Sequence, residues 1–203
     1  MPLIIDSHQD IAFNMLNYGR DYTRSAVETR RLEVGTNIPD RNGDATTGWP
    51  EYQCGQVAVI FSTLYATPAK SRDAFDIVWY SDYESAHRMY RAQIDVYRKL
   101  TDAHPDKFRL ISSIKGLDSI IEHWFKPVQN GEGHPVGLIY LMEGADGIRS
   151  PHELAEWWDW GLRIIGLAWA GTRYCGGTSD PGPLTDEGRK LISAMAEYNF
   201  ILD

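Results

Sequence analysis

Two uninterrupted apolar runs constrain this chain more than anything else in it: Gln56-Val57-Ala58-Val59-Ile60-Phe61-Ser62-Thr63-Leu64 and Val136-Gly137-Leu138-Ile139-Tyr140-Leu141-Met142. Both have strand length, and neither shows the polar alternation of a strand that faces water on one side. A strand buried on both faces needs a layer of structure on each, which helices supply when the strands run parallel. The intervening segments have helical period. Tyr83, His87, Tyr90, Ile94, Tyr97 and Leu100 recur at steps of three and four, so residues 71–103 read as an amphipathic helix that His104-Pro105 ends. Shorter helices are expected over 23–33, 117–124 and 151–160, and after Thr185, which can cap a first turn carrying Asp186 and Glu187. Further strands are expected near 3–6, 108–111, 162–168 and 200–203, the last with no room to finish, and a Gly-rich turn at Asn130-Gly131-Glu132-Gly133 precedes the second run. Strand and helix thus alternate, which means an α/β fold on a parallel sheet. An eight-fold barrel and an open doubly wound sheet both fit. No Gly-x-Gly-x-x-Gly follows a strand, which weakens the nucleotide-binding form of the open sheet.

Charge and cysteine usage narrow the partners. Twenty basic against 28 acidic residues give a formal net charge of -8, and no Lys or Arg run forms a patch, so neither nucleic acid nor a membrane is an expected partner. No apolar segment reaches the roughly 18 residues of a spanning helix, and the first residues lack a basic n-region. Cys54 and Cys175 are too few and too far apart for a disulfide framework or a zinc ribbon; both read as structural thiols, and a reducing cytoplasm is the simplest setting. With 203 residues, 43% of them hydrophobic, one domain with a sizeable core is the default.

In a parallel fold, chemistry gathers at the C-terminal ends of strands. Residues 3–6 run into Asp6-Ser7-His8-Gln9-Asp10, and residues two apart on a strand share a face, so His8 and Asp10 project together just beyond its end. Imidazole and carboxylate at that spacing suit a divalent cation such as zinc, although the pair alone is a weak signal. Glu143 directly follows the second apolar run, where a metal would also meet His8 and Asp10, and a glutamate can bridge two cations; the bland alternative is a capping or solvated Glu. The polar section over 11–55, with one helical stretch, is long for a connection in a compact domain, which is usually functional or disordered. His87 and His123 fall within helices, while His104, His134 and His152 lie beside proline or in turns, so packing or surface roles are expected for all five. Trp157, Trp158 and Trp160 read as core. Arg173 and Tyr174 follow the strand at 162–168 and face either the site or their own turn. No Ser or Cys has a neighbouring His in a nucleophile pattern, and no catalytic acid or base is identified.

In order and spacing, Asp6-Ser7-His8-Gln9-Asp10, Glu143-Gly144-Ala145-Asp146-Gly147-Ile148, Gly161-Leu162-Arg163-Ile164-Ile165-Gly166-Leu167-Ala168-Trp169 and Leu184-Thr185-Asp186-Glu187-Gly188 resemble the membrane dipeptidase family of zinc peptidases, the renal dipeptidase-like or M19 family. The resemblance covers nearly the whole chain. Its first two motifs are specific in combination; the other two are structural signatures. It implies a (β/α)8 TIM barrel of the metal-dependent hydrolase type, with two zinc ions on the C-terminal rim, hydrolysing dipeptides or related small amides. It further implies that His8 and Asp10 ligate one zinc and that Glu143 bridges both. The family's two further histidine ligands and late acidic residue have no matching positions here. Residues 1–203 are therefore expected to form a single incomplete metallohydrolase barrel domain, truncated after about six strands and without normal dipeptidase activity in that form. Where well-known members carry a substrate-contacting histidine, this chain has Trp169, which can pack on a substrate but cannot supply the same hydrogen bonds or charge. The expected partner is a small dipeptide or amide substrate; homo-oligomerisation is left open. The rivals are another binuclear amidohydrolase or phosphoesterase, and a non-catalytic barrel remnant that binds a ligand or partner.

Overall fold

A computed structural model describes residues 2–128 and 133–203, so the Gly-rich turn expected at Asn130-Gly131-Glu132-Gly133 lies, except for Gly133, outside the described residues. The chain opens with β1 (Ile4–Gln9), passes through α1 (Ile11–Tyr18), α2 (Ala26–Glu33), α3 (Ile38–Asn42) and α4 (Trp49–Gly55), and enters β2 (Val57–Leu64). The two-residue strands β3 (Thr67–Pro68) and β4 (Trp79–Tyr80) pair with each other before the long helix α5 (Tyr83–Ala103). Then follow β5 (Phe108–Leu110), α6 (Ile114–Trp124), β6 (Val136–Glu143), α7 (Leu154–Asp159), β7 (Leu162–Gly166), α8 (Asp186–Glu197) and β8 (Ile201–Leu202). No described helix is long and apolar enough to cross a membrane.

The main sheet has six parallel strands in the order β1-β2-β6-β7-β8, with β5 added against β6. It is an α/β half-barrel, open between β1 and β8. Strands pairing strictly in chain order would put β5 between β2 and β6. Instead β2 pairs β6 directly, from Val59 opposite Gly137 to Leu64 opposite Met142. The three residues of β5 reach only the first part of β6, Phe108 opposite Val136 and Leu110 opposite Leu138. A strand that short cannot serve an eight-residue neighbour along its length.

Two expectations change. Residues 11–55, expected as a polar connection with a single helix, carry four. Their signals are local rather than periodic: left-handed Gly19 closes α1, the Ser25 side chain accepts from the Glu28 N–H at the start of α2, and proline sits in the first turn of both α3 and α4. A buried fork from Arg20 to Glu33, at 2.7 and 3.1 Å, with a third bond from Arg20 to Gly43 O, ties this section together. The helix expected from residue 71 begins only at Tyr83, where Asp82 and Ser85 cap it reciprocally; the preceding stretch forms a single-turn 3-10 helix, Ala69–Ser71, and β4.

Strand alternation divides the core into two faces. On one, Leu138, Tyr140 and Met142 of β6 are fully buried, and the ring of Tyr140 lies 5.3 Å from that of Tyr97 on α5. On the other, Ile5, Val59, Phe61, Ile139, Ile164 and Ile201 line an apolar trough of about 620 Å³ that Ile111, Ile114 and Leu117 also border. Ile5 and Ile201, on the two edge strands, stay more than half exposed.

One hydroxyl joins three elements near the C-terminal end of the sheet. Tyr97 Oη donates to Thr63 O at 2.9 Å and accepts from Ala12 N–H at 3.2 Å, linking α5 to β2 and α1. Tyr97→Phe keeps the ring and orphans both buried backbone groups. Its expected cost is about 1–3 kcal/mol, measured by denaturant unfolding; an unchanged midpoint would show that this hydroxyl does not tie the elements together.

Candidate metal centre

β1 and β6 flank β2, so their C-terminal ends lie two strand spacings apart, roughly 9–10 Å. Side chains leaning inward from both flanks meet above β2. His8 Nε2 lies 3.4 Å from Glu143 Oε2 and 3.7 Å from Asp10 Oδ1, and one potential ligand atom from each residue lies within 4.8 Å of the others. Ligands about 2.0–2.1 Å from a tetrahedral zinc stand roughly 3.3–3.4 Å apart. The His8–Glu143 separation has that spacing and the His8–Asp10 separation is a little longer, so a small adjustment would let all three hold one cation and leave a position open for water or substrate. Among the described residues these three form the cluster with metal-holding geometry.

The surroundings hold each side chain in place. Asp6 accepts from the His8 N–H at 3.1 Å and from Gln9 Nε2 at 2.7 Å, and Tyr52 donates to Gln9 Oε1, so the end of β1 is fixed from both sides. Asp10 stands at the N-cap position of α1 but does not cap it with its side chain. Its carboxylate turns instead to the hydroxyl of Thr63, which donates to Oδ1. Glu143 is held by its main chain, where the Tyr90 hydroxyl donates to its carbonyl at 2.8 Å. The next residue, Gly144, has φ of +82°, a conformation that would strain any side chain, and this turn takes the chain out of the strand just after Glu143.

Without a cation the surroundings of His8 and Asp10 favour their protonated forms. The hydrogen bond that His8 donates to Glu143 raises its pKa, helped by the charges of Glu143, Asp10 and Asp203 and opposed by burial. Burial raises that of Asp10, with the Glu143 charge adding and the Thr63 hydrogen bond opposing. A divalent ion would offset the crowding of negative charge there.

The other sequence candidates lie elsewhere. Trp169, expected at a strand end, lies three residues past β7 and is 44% exposed, its ring 5.5 Å from that of Tyr65. Glu143, Gly144, Tyr65 and Trp169 border one hollow. His87 Nδ1 lies 3.0 Å from Gly147 O, with its ring against Trp157 and Trp160. His123 and His134 pack on each other. Trp157 is fully buried in the core. Arg173 and Tyr174 both donate to Ile148 O, so they tie the loop after β7 to the loop after β6. Both cysteines are free. Thr63 escaped the sequence reading because a threonine inside a β-branched run looks like ordinary strand filler.

The model of the membrane dipeptidase family, peptidase family M19, matches residues 1–203. The chain belongs to the membrane dipeptidase family. Three solved structures share the fold. Dipeptidase AC, a metallopeptidase of family M19, is 20% identical with a TM-score of 0.67, over 99% of this chain and 55% of its own. The probable dipeptidase PvdM from Pseudomonas aeruginosa is 14% identical with a TM-score of 0.66, over 99% of this chain and 46% of its own. An amidohydrolase from the same organism is 14% identical with a TM-score of 0.56, over 76% of this chain and 40% of its own. The chain thus spans about half the length of the solved M19 relatives. A comparison with curated proteins finds no match.

Within this member of the membrane dipeptidase family, Thr63→Val preserves side-chain shape and removes the donor to Asp10. Zinc affinity is expected to fall about 10- to 100-fold, the usual effect of losing a partner that orients a ligand, as measured by competition with a chelator. Asp10→Ala and Glu143→Ala are expected to lower it further while costing little metal-free stability, because removing one carboxylate relieves repulsion. Parental zinc content in all three variants would remove these residues from any metal site.

Proposed function

We propose that this chain carries part of the metal site of a zinc-dependent hydrolase that cleaves the peptide or amide bond of a small, dipeptide-like substrate. The observation that carries this reading is the convergence of His8, Asp10 and Glu143 at strand ends, with the imidazole 3.4 and 3.7 Å from the two carboxylates and all three within 4.8 Å. Family membership favours a peptide or amide bond over a phosphoester. His8, Asp10 and Glu143 would hold zinc, which when bound polarises a carbonyl and makes water nucleophilic near neutral pH.

The chain's own residues supply placement. Thr63 fixes the Asp10 carboxylate, while Asp6, Gln9 and Tyr52 keep the end of β1 from drifting. A polar cavity of about 450 Å³ opens beside His8 and Asp10, with Asn14, Tyr22, Asn42 and Thr46 among its lining groups, so a polar substrate can reach the ligands. Glu143 has two carboxylate oxygens, so the same reading includes a second zinc that Glu143 would help to hold. The complete barrel belongs to this reading too, supported by the half-barrel already formed. Residues 1–203 alone are proposed not to turn over dipeptides, because the second zinc of this reading has no ligand cluster of its own among the described residues. A cytoplasmic setting is also proposed, supported by the two free cysteines.

The test uses the protein in the length in which the cell makes it. Hydrolysis of a dipeptide panel is expected to be abolished by a chelator, restored by zinc, and lowered by more than about 100-fold in Glu143→Gln, since loss of a zinc-orienting carboxylate undermines the water-activating step. Zinc binding without hydrolysis of any dipeptide or small amide would overturn the enzyme in favour of a metal-binding module.

A further inference from the structure

We infer that the cavity between the end of β1 and the helices after it is a side-chain pocket for a neutral carboxamide, selecting substrates that carry glutamine or asparagine. The inference rests on the hydrolase reading and adds its substrate class. The cavity holds about 450 Å³ and extends from His8 and Asp10 to Asn14 of α1, Thr29 of α2 and the loop after α3. One end therefore lies at the proposed metal ligands, and the other has room for a side chain attached to the reacting group. The long connection between β1 and β2 thus has a task beyond joining two neighbouring strands.

Three side chains in the lining are more than nine-tenths buried and still have donors without acceptors. Arg20, Tyr22 and Thr29 are 8%, 7% and 8% exposed. Arg20 directs Nε and Nη2 to Glu33 and Gly43 O, which leaves Nη1 with no protein partner among the described residues. The Tyr22 hydroxyl accepts from Asn14 Nδ2 at 3.0 Å, while its own hydrogen meets no acceptor among those residues. The Thr29 hydroxyl is unpaired among them as well, and neither it nor Arg20 Nη1 is sealed inside the protein. A ligand that displaces water from such groups must offer acceptors in its place. Acceptors line the same space: Asn42 donates from Nδ2 to Asn14 and keeps its Oδ1 free, and the Asp44 carboxylate is unpaired among the described residues.

Charge decides which acceptor-rich group fits. Glu33 already balances Arg20, and Asp6, Asp21 and Asp44 line the cavity besides Asp10, so a carboxylate would enter an acidic surround. An ammonium has no lone pair for the three donors and would approach a bound divalent ion, which repels it. An apolar side chain would leave every one of these groups unpaired. A carboxamide turns its carbonyl to the donors and its NH2 to Asn42 and Asp44, and adds no charge.

The test combines turnover with binding in the zinc-loaded protein at its natural length. Dipeptides carrying Gln, Glu, Met or Lys in either position differ little in side-chain length and give kcat/KM ratios. Amino-acid hydroxamates of glutamine, glutamate and methionine, which anchor on zinc, give the same preference by calorimetry without cleavage. Gln is expected to exceed Glu, Met and Lys by at least about tenfold in one position. Tyr22→Phe and Thr29→Val each remove one donor at nearly constant shape. Each should reduce the Gln-over-Met ratio by about three- to tenfold in both assays, with parental zinc content and thermal midpoint as folding controls. Turnover in which Gln leads in neither position, or a Gln preference unchanged in both variants, would overturn the pocket and leave the hydrolase standing. A glutamine hydroxamate preference that the variants lose, without turnover of any dipeptide, would keep the pocket and overturn the hydrolase. No preference in either assay would overturn the pocket outright.

Discussion

The register between β1, β2 and β6 decides whether His8, Asp10 and Glu143 meet at all. A one-residue slip in a strand sends every side chain to the opposite face. Slipping β1 against β2 would turn His8 away from Glu143, and slipping β6 would bury the glutamate on the helix side. Paired apolar positions prevent this. Val59 stands opposite Gly137 and Phe61 opposite Ile139 on the face of the trough, while Ile60 and Leu138 face the helices and are fully buried. The hydrophobic pattern that makes the sheet thus also sets the positions of His8 and Glu143.

Those positions are expensive to hold. Two carboxylates and an imidazole close together, partly withdrawn from water, favour protonation, and the shifts of His8 and Asp10 express that cost. The fold offsets it with polar contacts that come from outside the cluster. Thr63 is directed at Asp10, Tyr90 holds the Glu143 carbonyl, and Asp6 secures the strand end. Such supports would be wasted on a solvated acidic patch. They are what a site needs if its ligands are to stay in place before the ion arrives.

How much of this was legible in the sequence follows from the range of the interactions. The runs at 57–64 and 136–142 announced themselves because burial on two faces leaves a continuous apolar signature, and both became strands of eight residues. His8 and Asp10 were legible because their spacing is local, and Glu143 because it directly follows one of those runs. The helices of residues 11–55 were less so, because five- to eight-residue helices stabilised by caps, proline and the Arg20–Glu33 pair have too few turns to show a period. Thr63, Tyr65 and Gln93 could not be singled out. Thr63 acts on Asp10 across 53 positions and Gln93 on Tyr65 across 28, contacts that no motif spacing records. The displaced position of β5 likewise depends on which neighbour β2 finds, a matter of tertiary pairing.

The surroundings of the triad are asymmetric. Around His8 and Asp10 lies a polar cavity with Asn14, Asn42, Tyr22 and the threonines of the stretch before α4. Around Glu143 lie Gly144, Tyr65 and Trp169. Because the polar side is built from β1 and the loops after it, and the other side largely from residues just after β2 and β7, the register that brings His8, Asp10 and Glu143 together also sets two unlike surfaces beside them.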